Sequence, residues 1–174
     1  IEHGSQRISK IVSELRNFVR VKKGVQLKQV DIKEIIERSS RICKGKINTM
    51  VREFNADIQE SLPKVMTDPE ALEQVLINLI INAAQSIDKE DSRVTVHAFL
   101  SNEDQPNIHI EIIDNGKGMD GETKNRIFEP FFTTKDPGEG TGLGLAVCQN
   151  LIEALGCEIE VESIQDLGST FRII

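Results

Sequence analysis

Tryptophan and tyrosine are absent from the chain, and no run of apolar residues approaches the length of a membrane span. Without these two aromatic types, a surface that stacks the bases of single-stranded nucleic acid is not expected. The net charge of −7 also removes the counterion release that drives proteins onto nucleic acid. A bilayer span needs about 20 consecutive apolar residues. The sequence therefore predicts neither nucleic-acid binding nor membrane contact by this chain.

Cysteine is scarce, with three residues at positions 43, 148 and 157 and no CxxC spacing. An odd number without that spacing argues against both a disulfide framework and a zinc site. The first residues show no signal-peptide pattern. We therefore expect reduced thiols and a cytoplasmic location, and a membrane anchor would belong to another part of a longer protein.

The remaining composition is that of an ordinary globular protein, since 39% of the 174 residues are apolar and 28% are charged. A chain of this length buries enough surface to fold without disulfides or a structural metal. Length alone predicts one domain, with room for an appendage.

The segment from Gln6 to Arg20 has helical periodicity. Its apolar residues recur at intervals of three and four, with charged residues between them. A single apolar stripe packs either on the following domain or against another helix in a bundle. Residues 21–24 break the pattern, so we predict a helical appendage over residues 1–22 and a domain over residues 23–174. The stripe consists of Ile8, Ile11, Val12, Leu15, Phe18 and Val19.

Between residues 25 and 54 the sequence predicts two strands and one helix. Apolar residues at 25, 27 and 30 indicate a short strand. Asp31 is a good N-cap for a helix whose apolar periodicity fades near Gly45. The segment Ile47–Phe54 is predicted to be the second strand.

The clearest helix in the sequence begins after Asp68. That residue is the predicted N-cap, and Pro69 occupies the first helical position, where its missing N–H costs nothing. The apolar residues from 72 to 83 form a wide core face. Asn78 and Asn82 are four residues apart, so both lie on one face of this helix.

The second half of the chain is predicted to form most of a sheet. Residues 93–100 and 108–112 alternate apolar and polar residues, as strands do, and further strands are predicted around Val161 and at residues 171–174. A helix from Leu143 to Leu155 is ended by Gly156. Strands and helices come in runs, which predicts an α+β fold: a two-layer sandwich with helices on one face of a mixed, mostly antiparallel sheet, preceded by the N-terminal helix.

Seven of the twelve glycines lie between Gly116 and Gly144, which marks where the chemistry is expected. An apolar strand ends at Asp114, which begins an Asp-x-Gly-x-Gly sequence; alone, this pattern also fits an ordinary turn. Residues 138–145 are Gly-Glu-Gly-Thr-Gly-Leu-Gly-Leu and open a helix, where backbone N–H groups and the helix dipole favour a phosphate. The segment is neither a P-loop nor a dinucleotide fingerprint. A flexible loop is the alternative.

The polar and glycine-rich segments follow one another in a definite order. The Asn-x-x-x-Asn helix precedes Asp-x-Gly-x-Gly, and then come Phe-Glu-Pro-Phe-Phe-Thr-Thr-Lys at 128–135, Gly-Thr-Gly-Leu-Gly at 140–144 and Gly-Ser-Thr at 168–170. This combination resembles the catalytic and ATP-binding domain of sensor histidine kinases. That family belongs to the GHKL superfamily, with type II topoisomerases, heat-shock chaperone ATPases and mismatch-repair ATPases. The resemblance covers Val25–Ile174 and implies the same α/β sandwich.

The resemblance implies ATP and Mg²⁺ as cofactors. Asp114 would accept a hydrogen bond from the adenine amino group, where guanine presents an acceptor; such a charge-assisted bond contributes about 1.5–3 kcal/mol. Thr170 would make a second, water-mediated contact on the adenine side. Asn82 would be the Mg²⁺ ligand, because an amide oxygen suits a hard cation. Asn78 would lie near the phosphates.

The resemblance also places the remaining motif residues around the nucleotide. Lys135 would reach the γ-phosphate, although a lid lysine is equally compatible with a solvated position. We take Asn78 and Lys135 as the candidate catalytic side chains, and residues 117–141 as a region containing a mobile lid. The lid would be anchored by Phe128, Phe131 and Phe132, the adenine pocket shaped by Gly116 and Gly118, and the phosphate loop formed by Gly140, Thr141, Gly142, Leu143 and Gly144.

Two positions bear on which superfamily member the chain resembles. The ATPases carry a Glu four residues before the magnesium Asn, as the base that activates water; here that position is Asn78, and an amide cannot take a proton. The sequence therefore favours a kinase. Many sensor kinases carry a basic residue three positions after the magnesium Asn, but this chain has Gln85. One phosphate contact is then either missing or supplied by the lid.

No histidine of this chain is predicted to be the phosphoacceptor. His3 is not followed by the acceptor sequence, and His97 and His109 fall on the solvent side of predicted strands. The N-terminal helix resembles the second helix of the dimerisation and phosphotransfer bundle, so the acceptor histidine is expected upstream. The expected partners are the phosphoacceptor helix of the same kinase, in a homodimer formed through that bundle, and a response regulator.

The sequence is compatible with two functions from different classes. The first is a protein-histidine kinase module that transfers the γ-phosphoryl of Mg-ATP to a histidine, for relay to a response-regulator aspartate. The second is a nucleotide-binding regulatory module that acts by protein contact and transfers little phosphate. Asn82, Asp114 and the glycine loop favour the first.

Overall fold

The computed structural model describes residues 24–102, 104, 106–136 and 140–174. The helix predicted at residues 6–20 and the domain boundary predicted after residue 22 lie outside these residues. The described strands are β1 (Lys28–Val30), β2 (Glu53–Ile58), β3 (Val65–Thr67), β4 (Arg93–Leu100), β5 (Ile108–Asp114), β6 (Ile159–Ile164) and β7 (Gly168–Ile173). The described helices are α1 (Ile32–Ile47), α2 (Pro69–Gln85), α3 (Gly121–Arg126) and α4 (Gly144–Ala154).

The strands form a mixed, mostly antiparallel sheet. Its five strands lie in the order β2-β4-β5-β7-β6, and only the β2–β4 pair is parallel among them. A separate two-stranded ribbon pairs β1 with β3. The predicted α+β sandwich is confirmed, and the short strand β3 is an element that the sequence pattern did not indicate.

One face of the sheet carries the core and the helices. Alternate residues of β4 and β5, such as Val94, Val96 and Ile112, are fully buried there. Helix α2 packs between α1 and α4 and against β4 and β5. Its wide apolar face, which includes Leu76 and Ile80, is also fully buried. Helix α2 is therefore the central element of the helical layer, and it fixes the position of every polar side chain that it carries.

Among the described residues, none of the helices combines the length and the apolar character needed to cross a bilayer.

The predicted N-caps of α1 and α2 are confirmed. The side chain of Asp31 accepts from the N–H of Lys33, and the side chain of Asp68 accepts from the N–H groups of Glu70 and Ala71. These bonds satisfy donors that the first turn of a helix leaves without intrahelical partners.

The strand predicted at Ile47–Phe54 is wrong at its start. Helix α1 passes through Gly45 and ends at Ile47, and β2 begins at Glu53. The buried face of α1 continues through Cys43 to Ile47 at a spacing of four, whereas Gly45 lies on the exposed side. An exposed glycine weakens a helix by about 1 kcal/mol relative to alanine. Burial of Ile47 keeps the last turn helical despite that cost.

The other face of the sheet carries a row of polar and charged side chains. In register across the five strands lie Asp57, His97, Glu111, Arg172 and Glu160. The Nε of Arg172 lies 2.7 Å from Glu111, and its Nη1 lies 3.1 Å from Glu160. Polar cross-strand pairs of this kind suit a solvated sheet face. The solvent-side position predicted for His97 is confirmed, since its side chain is 38% exposed.

Candidate functional site

A cavity opens between α2, the carboxyl end of β5, the segment after it and the start of α4. It gathers side chains that are far apart in sequence, from the end of α1 to β7. Most of the predicted site residues line it, namely Asn78, Asn82, Asp114, Gly118, Lys135, Gly140, Thr141, Gly142 and Gly144. Gly116, Phe128, Leu143 and Thr170 do not.

Asp114, the last residue of β5, is the buried carboxylate of the cavity. Its side chain is 5% exposed. The carboxylate oxygen Oδ1 accepts from the Oγ of Ser86 at 2.9 Å and from the N–H of Gly116 at 2.8 Å. Burial raises the pKa of Asp114, against the hydrogen bonds from Gly116, Ser86 and the backbone of Ser169, which lower it. The site therefore holds a carboxylate that is costly to ionise and oriented by several donors.

Ser86 joins the end of α2 to this carboxylate, and sequence analysis did not identify it. Its Oγ contacts both the carbonyl of Ala83, at 2.8 Å, and Asp114. The backbone at Gly116 packs closely against Ser86. A Cβ at Gly116 would lie 2.3 Å from the Oγ and 2.6 Å from the carbonyl oxygen of Ser86. Its spacing in the sequence could have indicated Ser86, because it follows Asn82 by one helical turn on the same face of α2.

Thr170, which the resemblance places in a water-mediated contact on the adenine side, does not line the cavity. Thr170 is in register with Ile113 and Glu162, which lie on the solvent side, whereas Ser169 is in register with Asp114 and lines the cavity. Successive residues of a strand point to opposite faces. Phe171 is buried, so the alternation of β7 places Ser169 on the core side as well.

Asn78 and Asn82 share one face of α2, as predicted. The Oδ1 of Asn78 accepts from the Nε2 of Gln74 at 3.3 Å, and Asn78 also hydrogen-bonds the thiol of Cys148 on α4. Burial raises the pKa of that thiol to about 12, so it remains protonated at neutral pH. The Oδ1 of Asn82 lies 3.4 Å from the Nζ of Lys135. Both amides line the cavity, but Asn78 also takes part in the packing between two helices, whereas Asn82 faces a cation.

The segment over residues 117–141 contains α3 and is partly anchored to the core. Ile127 is buried, and Phe128 and Phe132 pack against the core cluster. Phe131 does not anchor this segment, contrary to the prediction, because its side chain is 67% exposed. It adopts a φ of 69°, and its N–H donates to the carbonyl of Gly142 at 2.8 Å.

Gly142 packs closely against the backbone of Phe131. Its φ is +68°, and a Cβ there would lie 2.3 Å from the carbonyl carbon of Phe131. Gly144, at the first turn of α4, is different, because a Cβ there would meet nothing nearer than the Nδ2 of Asn82 at 3.9 Å. Gly142 is therefore required by the fold, whereas the open space at Gly144 is available to a ligand.

The described lining of the cavity is biased towards positive charge, although the chain as a whole carries −7. Three lysines, Lys46, Lys117 and Lys135, line it, and Asp114 is the one carboxylate among those lining residues. Lys46 comes from the last turn of α1, and no sequence pattern pointed to it. A cation-lined cavity beside the N-terminus of α4 suits an anionic ligand such as a phosphate chain.

The residues around Asn82 fit Mg²⁺ only together with a phosphate ligand. The described residues contain no group of three or more His, Cys, Asp or Glu side chains that could hold a metal alone. Asn82 offers a neutral amide oxygen, and the ammonium of Lys135 already approaches that oxygen. Mg²⁺ usually keeps several waters and takes further oxygens from substrate phosphates. Asn82 is therefore a suitable protein ligand for a nucleotide-bound ion.

The residues that form most of this cavity match a known protein family. Residues 67–174, more than half of the chain, match the family described as histidine kinase-, DNA gyrase B- and HSP90-like ATPase. The chain belongs to this ATPase family. Within the matched residues lie α2, β5 and α4, which carry most of the cavity.

The relatives of this ATPase domain include sensor histidine kinases. The sensor histidine kinase ZraS of Escherichia coli K12 is 35% identical over 97% of this chain, which spans only 35% of the length of ZraS. The structure of full-length ShkA in complex with AMPPNP has a TM-score of 0.81 and 25% identity, over 94% of this chain and 34% of ShkA. The catalytic domain of histidine kinase ThkA has a TM-score of 0.71 and 29% identity, over 86% of this chain and 94% of that domain.

The opposite pKa shifts of two aspartates generate a stability prediction. The folded-state pKa of Asp114 is raised, so its ionisation costs stability as the pH rises from the unfolded value of 3.8 through the folded one. The stability of Asp114→Asn relative to the parent should therefore increase between pH about 3.5 and about 7, measured by urea unfolding of the nucleotide-free chain.

Asp120→Asn is the matched control for that measurement. The pKa of Asp120, the exposed N-cap of α3, is lowered mainly by the N–H of Thr123. Its ionisation therefore adds stability, which is lost as the pH falls through the folded pKa, and the relative stability of Asp120→Asn should change with pH in the opposite direction. A common pH dependence for the two variants would contradict the assignment of a costly charge to Asp114.

Proposed function

We propose that the chain is the cytoplasmic, ATP-binding catalytic module of a two-component sensor kinase. It transfers the γ-phosphoryl of Mg-ATP to a histidine, for relay to an aspartate of a response regulator. The main observation in support of this proposal is the cavity along α2. One end holds an oriented carboxylate, and the other holds an amide, a lysine and a helix that begins with a glycine. The four residues from Asn82 to Ser86 rise by about 6 Å, so one helix serves both ends.

The carboxylate end suits adenine. One oxygen of Asp114 is already occupied by donors from Ser86 and Gly116, and a carboxylate has further lone pairs for an exocyclic amino group. Guanine presents a carbonyl oxygen at that position, which would leave a buried charge facing an acceptor. Such a charge without a partner is strongly unfavourable.

The opposite end suits a triphosphate. Gly144 opens α4 within reach of Asn82, and the N–H groups and dipole of that helix favour anionic oxygens. Lys135 adds an ammonium beside the same asparagine. Asn82 would hold Mg²⁺, which supplies charge neutralisation of the phosphates when it is bound. In phosphoryl transfer, positioning and charge stabilisation provide most of the catalysis.

The side chain at position 78 favours transfer to another group over hydrolysis. An amide cannot accept a proton from water, and Asn78 is engaged with Gln74 and Cys148. We infer that the phosphoryl acceptor is a histidine outside this chain, in a bundle whose second helix is residues 1–22, followed by the catalytic domain over residues 23–174. A homodimer formed through that bundle and a response regulator are the partners that this arrangement requires.

The adenine assignment is tested by Asp114→Asn. An amide presents a weaker acceptor and can turn its donor towards the ring, so the affinity for ATP should fall about tenfold or more, as measured by calorimetric titration. Asp120→Asn, whose side chain caps α3, should leave the affinity for ATP unchanged. Equal affinities of the parent and Asp114→Asn would exclude the adenine contact.

The phosphate assignment is tested by Gly144→Ala. The nucleotide-free chain has room for the added methyl group, and alanine at the start of a helix preserves its stability. We expect an unchanged midpoint of thermal unfolding and a loss of ATP affinity of about fivefold or more, because the methyl group occupies space beside the phosphates. If the variant folds normally and binds ATP with the affinity of the parent, the phosphates do not lie beside the start of α4.

The transfer reaction is tested with labelled ATP. The isolated chain should bind Mg-ATP, hydrolyse it slowly and carry no label, because it lacks both a carboxylate at position 78 and a predicted acceptor histidine. The full-length protein should become labelled at a histidine, in an acid-labile and base-stable bond, and Asn82→Ala should abolish that label. Rapid ATP turnover or self-labelling by the isolated chain would contradict the proposal. A full-length protein that binds ATP without labelling any histidine would support the regulatory module instead.

A further inference from the structure

Gln85 and Lys135 make a close contact that the predicted motifs do not explain. The Oε1 of Gln85 accepts from the Nζ of Lys135 at 2.6 Å, and the same Nζ lies 3.4 Å from the Oδ1 of Asn82. The two partners of the short bond are 50 residues apart in sequence. The contact therefore joins the last residue of α2 to the segment that precedes Gly140.

Helix α2 has no cation of its own at this end of the cavity. Its sequence, Pro69–Gln85, contains no lysine, arginine or histidine. The positive charge beside Asn82 comes instead from Lys135, which reaches across from the segment after Phe132. A turn within that segment, in which the N–H of Lys135 donates to the Oγ1 of Thr133 at 3.2 Å, sets the direction of the lysine backbone.

We propose that Gln85 is a positioning residue, which holds Lys135 over Asn82 so that residues 133–135 supply the cation for the terminal phosphates. This inference rests on the proposed function, because it assumes that the phosphates of ATP lie beside Asn82. It assigns to Gln85 a role that acts through Lys135 and needs no contact between Gln85 and ATP.

The chemistry of the amide explains why Gln85 suits this role. A neutral amide oxygen fixes the ammonium by a hydrogen bond without cancelling its charge, so the lysine keeps its attraction for a phosphate. A carboxylate at position 85 would bind the ammonium more strongly, but it would neutralise the lysine and place a negative charge close to the phosphates. The bond from Gln85 is also shorter than the contact with Asn82, so Lys135 keeps this bond if the oxygen of Asn82 takes another ligand.

The experiment is a double-mutant cycle read out as ligand affinity. The affinities for ATP and for AMP are measured by calorimetry, with Mg²⁺ and with EDTA, for the parent chain, Gln85→Ala, Lys135→Met and the double variant. We expect Lys135→Met to weaken ATP binding about tenfold and to leave AMP binding unchanged, because only the distal phosphates lose a charge-assisted bond. Gln85→Ala should weaken ATP binding about three- to fivefold, and the double variant should be no weaker than Lys135→Met alone.

Two further variants separate positioning from simple packing. Gln85→Glu, which has nearly the same shape, should weaken ATP binding more than Gln85→Ala does. Gln149→Ala removes an amide from α4, outside the lining of the cavity, and should bind ATP like the parent. Lys117→Met removes a lysine that lines the same cavity but has no side-chain bond to Gln85 or Asn82 in the described residues, and its loss should not be coupled to that of Gln85.

Additive losses in the double variant, or an ATP affinity of Gln85→Ala equal to that of the parent, would overturn the positioning role while leaving the proposed function intact. A parent chain that does not bind ATP would overturn the proposed function, and the role of Gln85 with it.

Discussion

The hydrogen bond between Ser86 and Asp114 is the contact on which the rest of the site depends. It connects the end of the central helix to the end of the central strand, and it does so inside the protein, where a charged carboxylate is costly. Because α2 is already held by its apolar face, this bond fixes the rotation of the helix relative to β5 at one point. The positions of Asn82, one turn earlier, and of Gln85, the residue before Ser86, follow from that rotation.

The cavity concentrates cations in a chain of net negative charge. The overall charge of −7 disfavours the approach of anions, whereas the lysines that line the cavity provide a local attraction. These lysines come from α1, from the segment after β5 and from the segment before α4, so no single element carries the charge. Movement of the segment between β5 and α4 would change both the shape of the cavity and its electrostatic potential, because Lys117 and Lys135 both belong to it.

The sequence predicted the elements whose physical signals are local. The caps at Asp31 and Asp68 and the alternation of β4 were predicted correctly, because each depends on neighbouring residues. Ile47 was misassigned, because burial on α1 kept the helix intact past an exposed glycine. The alternation around Phe171 puts Ser169, and not Thr170, on the cavity side of β7. Lys46 and the bond between Gln85 and Lys135 could not be predicted, because they depend on how distant elements pack.

The amides of α2 agree with the proposed transfer of a phosphoryl group better than with hydrolysis. Asn78, Asn82 and Gln85 bind by hydrogen bonds or as metal ligands, but none of them can remove a proton from water. Asn78 is also occupied by Gln74 and by the protonated thiol of Cys148, so it stabilises the packing of α2 on α4. A carboxylate at position 78 would also line the cavity, beside its lysines, where it could accept a proton from water. The amide at this position therefore leaves α2 able to bind and position a ligand, but unable to provide the general base that hydrolysis requires.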